Sequence, residues 1–158
     1  MLFKRELYLE KIRPYYDVDL IKVITGIRRS GKSKLLELII NELSERGVSP
    51  SKILYINFED LEYDYINDPK TLNAIVKSRI IDNEKYYILL DEIQKVDQFE
   101  KALASFKATM NCSIFVTGSN SKLLSGELST LLTGRTVEFS ILPLTYKEAI
   151  DFLTLKNK

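Results

Sequence analysis

Gly26-Ile27-Arg28-Arg29-Ser30-Gly31-Lys32-Ser33 is the stretch that decides the fold of this chain. It satisfies the pattern G-x-x-x-x-G-K-[S/T] at every required position and follows the apolar run Ile21-Lys22-Val23-Ile24. Such a stretch is a phosphate-binding loop. Gly26 lets the chain leave a strand sharply, and Gly31 lets the backbone approach a polyphosphate so closely that no side chain would fit, with successive N–H groups aimed at its oxygens. Lys34-Leu35-Leu36-Glu37-Leu38-Ile39-Ile40-Asn41-Glu42-Leu43 then has helical spacing and ends near Gly47, so the loop opens a helix whose positive end faces the phosphates. The expected nucleotide-binding segment runs over Gly26, Ile27, Arg28, Arg29, Ser30, Gly31, Lys32, Ser33 and Lys34. Within it, Lys32 is expected to reach the β- and γ-phosphates, and Ser33 to place its hydroxyl on the magnesium ion that bridges them.

A length of 158 residues is that of one domain with a core of ordinary depth. Lys and Arg number 23 and Asp and Glu 22, so net charge points to neither nucleic acid nor a membrane surface as partner. Basic residues gather in positions 1–34, whereas Glu59, Asp60, Glu62, Asp64 and Asp68 form an acidic stretch that reads as a solvated loop. The chain has no histidine, and Cys112 is its one cysteine. A Ser-His-Asp or Cys-His hydrolase is excluded, as is a zinc site of His and Cys. A lone cysteine fits a reducing compartment, and Met1-Leu2-Phe3-Lys4-Arg5-Glu6 lacks the apolar core of a signal peptide. A cytoplasmic protein is expected.

Residues 3–16 read as a helix with Leu7, Tyr8, Ile12 and Tyr15 or Tyr16 on its inner side, broken by Pro14 near its end. Five apolar runs read as strands: Ile21 to Thr25, Ile53 to Phe58, Tyr86 to Leu90, Ser113 to Val116 and Thr136 to Ile141. The second, apolar almost throughout, has the pattern of a parallel strand covered on both faces. Between strands, Asp68-Pro69 caps a helix carrying Leu72, Ile75, Val76 and Ile80. Asp97 to Glu100 has capping-box spacing before a helix with Phe99, Leu103 and Phe106 inward, and Thr145 with Glu148 forms a second box beyond the turn at Pro143. Strand, helix, strand in alternation gives a mostly parallel sheet with helices on both faces and a ligand at the carboxyl ends of the strands.

Ile88-Leu89-Leu90-Asp91-Glu92 is an apolar strand ending in two carboxylates. Asp91 is the expected metal-side group, orienting the ion's water shell together with Ser33, and Glu92 the expected general base for the water that attacks the γ-phosphate. The fourth strand ends in Val116-Thr117-Gly118-Ser119-Asn120. There Thr117, Ser119 or Asn120 either senses the γ-phosphate by a hydrogen bond or caps a turn. Arg135 either reaches a γ-phosphate, in its own subunit or in a neighbour's, or pairs with an acid to fix its turn. For Arg28 and Arg29, an ion pair with a neighbouring element is the simpler expectation.

The paired arginines of the loop, Leu90-Asp91-Glu92-Ile93-Gln94, and Val116-Thr117-Gly118-Ser119 followed by Gly134-Arg135 and Leu142-Pro143-Leu144 occur together. In that combination the chain resembles a prokaryotic family of AAA-type P-loop ATPases, common in archaea and bacteria and related to the STAND and origin-recognition ATPases. The resemblance covers nearly the whole chain. It implies an α/β three-layer sandwich, a P-loop NTPase core of five mostly parallel strands in the order 5-1-4-3-2. It also implies ATP or ADP and Mg2+ as ligands. Members usually continue into a helical or winged-helix region and a nuclease-like domain, so residues 1–158 are expected to be the ATPase domain alone, with slow turnover. The expected role is an ATPase acting as a conformational switch on an attached C-terminal domain or a protein partner, in a chain that is able to form oligomers. The alternatives are a module that signals by nucleotide occupancy and, with less support because no arginine-bearing lid is present, a small-molecule kinase.

Overall fold

Strand β1 (Ile21–Thr25) is buried at all five positions because it lies inside a parallel sheet. The computed structural model describes residues 3–119, 123 and 130–156. The other strands are β2 (Ile53–Asn57), β3 (Tyr86–Asp91), β4 (Cys112–Gly118) and β5 (Thr136–Ser140). Their order is β2-β3-β4-β1-β5, the expected 5-1-4-3-2 seen from the other edge, and all four pairings are parallel. In this order β1 and β3, which carry the loop and the paired carboxylates, both flank β4, and their carboxyl ends open on the same edge.

Period-two alternation sorts the strand residues into two layers of core. Ile88 and Leu90 join Ile21, Val23, Ile114 and Val116 against helices α3 (Pro69–Arg79) and α4 (Phe99–Thr109), which contribute Leu72, Val76, Leu103 and Phe106. Leu89, Ile24 and Phe115 face the opposite way, against α1 (Glu6–Ile12) and α2 (Lys32–Glu45), through Leu9, Ile12, Leu35, Leu36 and Ile39. Each such fully buried side chain stabilises the fold by roughly 1.5–3 kcal/mol before the entropy of ordering is subtracted.

Three local expectations are corrected. The helix expected over 3–16 is shorter: α1 ends at Ile12 and a 3₁₀ turn, Arg13–Tyr15, carries Pro14, which has no N–H for an α-helical bond. Its inner side is Tyr8, Leu9, Ile12 and Tyr16, with Leu7 exposed. Arg13 closes that side with a fork of hydrogen bonds to Glu42 of α2 at 2.6–3.2 Å, and the Tyr16 hydroxyl donates to the same carboxylate at 2.8 Å. Strand β2 is not covered on both faces. It is an edge strand in which Leu54 and Ile56 are buried and Ile53, Tyr55 and Asn57 are half-buried. The capping box at 97–100 does not form. The Asp97 N–H donates to Asn67 O at 3.0 Å, and α4 starts from Gln98 in a left-handed conformation (φ 50°) with no side-chain cap. The other two caps are as expected: Asp68 accepts from the N–H groups of Lys70 and Thr71, and Thr145 and Glu148 bond reciprocally at the start of α5 (Tyr146–Lys156). Among the described residues, no helix is long and apolar enough to cross a membrane.

Lys22 is fully buried, with Nζ donating to Val18 O at 2.9 Å and Ser113 Oγ at 2.6 Å and lying over the Phe115 ring. Burial, reinforced by the charges of Lys85 and Lys107, pulls its pKa down to about 8. Below that pH the folded and unfolded chains both hold the proton and the burial cost is fully present. Between about pH 8 and 10.5 the unfolded chain binds more protons, so stability rises with pH. Lys22→Met is therefore expected to have its largest stability advantage over the parent near pH 7. That advantage should shrink by on the order of 2 kcal/mol by pH 10.5, measured by urea unfolding across the range. A pH-independent difference would show that the ammonium is not desolvated.

Candidate phosphate-binding site

The chain leaves β1 at Thr25 and enters α2 at Lys32 through a loop with two left-handed residues, Arg29 (φ 66°) and Gly31 (φ 93°). A Cβ on Gly26 would lie 2.5 Å from Ser30 Oγ and 2.6 Å from the Ile141 carbonyl oxygen, so only glycine fits there. At Gly31 the nearest atom to a Cβ would be Arg5 Nη1 at 3.7 Å. Within the protein itself the crowding is at Gly26, and at Gly31 it is the backbone angle that demands glycine. The Ser30 N–H returns to Ile27 O at 3.1 Å and the Leu35 N–H to Gly31 O at 3.0 Å, closing the loop into the first turn of α2.

Lys32 is buried, and its Nζ lies 3.2 Å from Gly26 O, 3.4 Å from Ile27 O and 3.3 Å from Glu92 Oε1. Glu92 follows β3 with φ 56°, a left-handed turn that costs a non-glycine residue about 1–3 kcal/mol. Its N–H donates to Thr117 Oγ1 at 2.9 Å, and its Oε2 accepts from the Gln94 amide. Asp91 is fully buried. One carboxylate oxygen accepts from the Thr117 hydroxyl of β4 and the other from the Tyr55 hydroxyl of β2 at 3.1 Å. Burial first, then the Asp91 charge, raises the Tyr55 pKa above its ordinary value, so this phenol keeps its proton and remains a donor at neutral pH. Thr117 thus spends its hydroxyl on holding Asp91 and Glu92 in place.

Arg28, Arg29, Gly31, Lys32, Ser33 and Lys34 line a cavity of about 350 Å³, with Glu59 and Glu92 on its wall. Four cations and two carboxylates share it. Arg28 and Arg29 are exposed, and no ion pair joins either to another described residue, contrary to the simpler expectation; Lys34 pairs with Glu37 one turn along α2 at 2.7 Å. Asp91, fully buried with Tyr55 and Thr117 each donating to one of its oxygens, is not among the lining residues. A second cavity of about 530 Å³ shares Arg29, Gly31 and Lys34 with the first and adds Arg5, Phe3, Leu144 and Phe152.

Ser119 is half-buried just beyond β4, and its carbonyl accepts from the Leu123 N–H; Asn120 lies outside the described residues. Arg135 is exposed and precedes β5, whose Thr136 pairs with Ile21 at the start of β1. It therefore sits at the amino end of the sheet, about 16 Å of strand from the loop. A reach to the loop of its own chain is corrected by this topology. Sequence patterns missed Glu59, read as part of a solvated stretch, and Tyr55, one aromatic residue among several on a strand. The pairing of Asn57 with Asp91, which sets Tyr55 beside the carboxylate, is invisible without the sheet register.

The profile of a family described as AAA domain matches residues 19–150 of the chain. An uncharacterized protein of Haemophilus influenzae is 43% identical over 157 residues, covering 99% of this chain and 38% of its own length. An uncharacterized protein of Methanocaldococcus jannaschii is 40% identical over 137 residues, covering 87% of this chain and 29% of its own length. The chain spans about a third of the length of these relatives. Among solved structures, the Aeropyrum pernix ORC1 protein in complex with DNA superposes with a TM-score of 0.71 at 17% identity, over 99% of this chain and 50% of that one. Cdc6p from Pyrobaculum aerophilum gives 0.66 at 12% identity, over 98% of this chain and 49% of that one. At these identities the likeness is one of fold.

Proposed function

Since this chain belongs to the AAA domain family, we propose that it binds ATP with magnesium between the phosphate loop and β3, hydrolyses it slowly, and uses the cycle as a conformational switch on attached or partner protein domains. The observation that carries the proposal is the approach of Lys32 Nζ to Glu92 Oε1, 3.3 Å apart, on the wall of a cavity that three further cations line. A polyphosphate fits the chemistry of that cavity: the left-handed turns present backbone N–H groups, and the cations balance its charge. Ser33 on the wall and the buried Asp91 are the groups that would serve magnesium, which keeps several waters and takes few protein oxygens. When bound, the ion would supply positive charge that offsets the negative charge of the polyphosphate.

The chain's own residues would then divide the work. Lys32 exchanges its contact with Glu92 for phosphate oxygens, which frees the carboxylate to take a proton from water. Thr117 and Tyr55 hold Asp91 in one orientation, and Gln94 holds Glu92. Phe3, Leu144 and Phe152 give the second cavity an apolar side suited to a purine base. A second role, nucleotide occupancy with negligible turnover, is favoured by the engagement of Glu92 by both Lys32 and Gln94. Calorimetric titration with ATP, with and without magnesium, together with phosphate release tests the proposal. Ser33→Ala or Asp91→Asn is expected to weaken binding about tenfold more with magnesium present than in chelator, and equal losses in both would count against a metal role.

A further inference from the structure

Arg5 precedes α1 in sequence, far from the loop and from α5, yet its guanidinium joins all three. It is 5% exposed and stacks over the Tyr8 ring at 4.4 Å. Nη1 donates to Ser30 O at 2.8 Å and to Leu142 O at 2.9 Å. Nε and Nη2 donate to the two carboxylate oxygens of Glu148 at 3.0 and 3.3 Å, and Nη2 approaches Pro143 O at 3.5 Å. Such a fork of fixed donors is what arginine supplies and lysine does not.

The bond to Ser30 has a directional consequence. In a planar trans peptide the C=O and the following N–H point in opposite directions. Anchoring the Ser30 carbonyl on Arg5 therefore turns the Gly31 N–H away from Arg5, and the guanidinium adds positive charge behind the loop. The other half of the fork grips α5. Burial acts to raise the Glu148 carboxyl, but hydrogen bonds from Arg5 and Thr145 outweigh it and hold the group below its ordinary value, so it is fully charged at neutral pH. Among the described residues, α5 is otherwise lightly held. Tyr146, Ile150 and Leu153 are exposed, and an edge-on contact of Phe152 with Phe3, centroids 6.0 Å apart, is its aromatic tie to the body.

We propose that Arg5 is a positioning residue that sets the phosphate loop and α5 in one register, so that nucleotide in the loop and the placement of α5 are energetically coupled. The coupling rests on the ATP-binding role proposed for the loop. An anion drawing the Ser30–Gly31 peptide toward itself changes the hydrogen bond on the Arg5 fork, and the fork's other partners are carried with it. By linkage, any partner or domain that shifts α5 changes nucleotide affinity by the same factor.

The test combines titration of the intact chain with a fluorescent ATP analogue and hydrogen exchange of the amides of residues 146–156, with and without the analogue and magnesium. In the parent the analogue is expected to slow exchange in α5. Arg5→Gln is expected to bind ~10-fold more weakly and to lose that nucleotide-dependent protection. Glu148→Gln, which leaves the loop's own contacts intact, should also bind more weakly by several-fold, and the double variant should be no worse than Arg5→Gln alone. Arg5→Lys, with the charge but not the fork, should recover part of the affinity and little of the protection. Should Arg5→Gln fail to fold, Glu148→Gln carries the same test, since its side chain is 20% exposed. A merely structural arginine would lower the melting temperature and leave nucleotide-dependent protection of α5 in place, and that result overturns the coupling. If the parent binds the analogue and Lys32→Ala does not, a negative result falls on the coupling alone. If the parent does not bind, the loop's nucleotide role fails and the coupling with it.

Discussion

Lys32→Ala is expected to lower ATP affinity by about a hundredfold or more, close to 3 kcal/mol, while the chain stays folded. The ammonium is confined at the mouth of the loop by Gly26 O, Ile27 O and Glu92 Oε1, all within 3.4 Å. Such confinement means that little side-chain entropy remains to be lost when it meets a phosphate. Its removal deletes one charge-assisted contact and also leaves the Glu92 carboxylate facing incoming phosphates with no cation against it, so the loss should exceed that of a single hydrogen bond. Isothermal titration with magnesium present measures the effect, and a thermal melt confirms the fold. Affinity equal to that of the parent would mean that the loop does not bind nucleotide through Lys32.

Glu92→Gln is expected to separate binding from turnover. The amide keeps the size of the side chain and a partner for Gln94 but gives up the capacity to take a proton and the attraction for Lys32. ATP binding should be retained or become tighter, because the carboxylate no longer competes with phosphate for the ammonium. Hydrolysis should fall by roughly two to four orders of magnitude, the contribution of a positioned general base. Phosphate release at saturating ATP, in this chain and in a longer relative of the family, gives the comparison. Equal rates in variant and parent would assign Glu92 a structural role. No turnover in either protein would leave nucleotide occupancy as the signal.

The elements with strong local signatures were legible in the residues. The loop pattern, the apolar runs around it, the Asp68-Pro69 cap and the Thr145–Glu148 box each depend on contacts within a few positions, and each appears where the pattern places it. The failures are instructive in the same terms. Asp97 to Glu100 has capping-box spacing, but the Asp97 N–H is claimed by Asn67, thirty residues away in the chain, and the helix begins differently. Leu7 has the hydrophobicity of a core residue, but the inward stripe of α1 is set by its packing on α2 and falls one residue further along, on Tyr8 and Leu9.

By itself, the sequence determined that a strand, a glycine-bearing loop and a helix follow one another at residues 21–45, and that two carboxylates end another buried strand, because backbone angle, periodicity and hydrophobicity are properties of neighbouring residues. The family resemblance carried the strand order. Tertiary structure alone decided what each polar group meets. Parallel pairing of β3 with β2 and β4 brings the hydroxyls of Tyr55 and Thr117, from strands on opposite sides, onto the two oxygens of Asp91. The register of β5 with β1 carries Arg135 to the far end of the sheet. Arg5 meets Ser30 and Glu148 because the two ends of the described chain pack beside the loop. A hydrogen bond needs its partners within about 3 Å, and for groups 25 to 143 positions apart no local preference of the backbone encodes that distance.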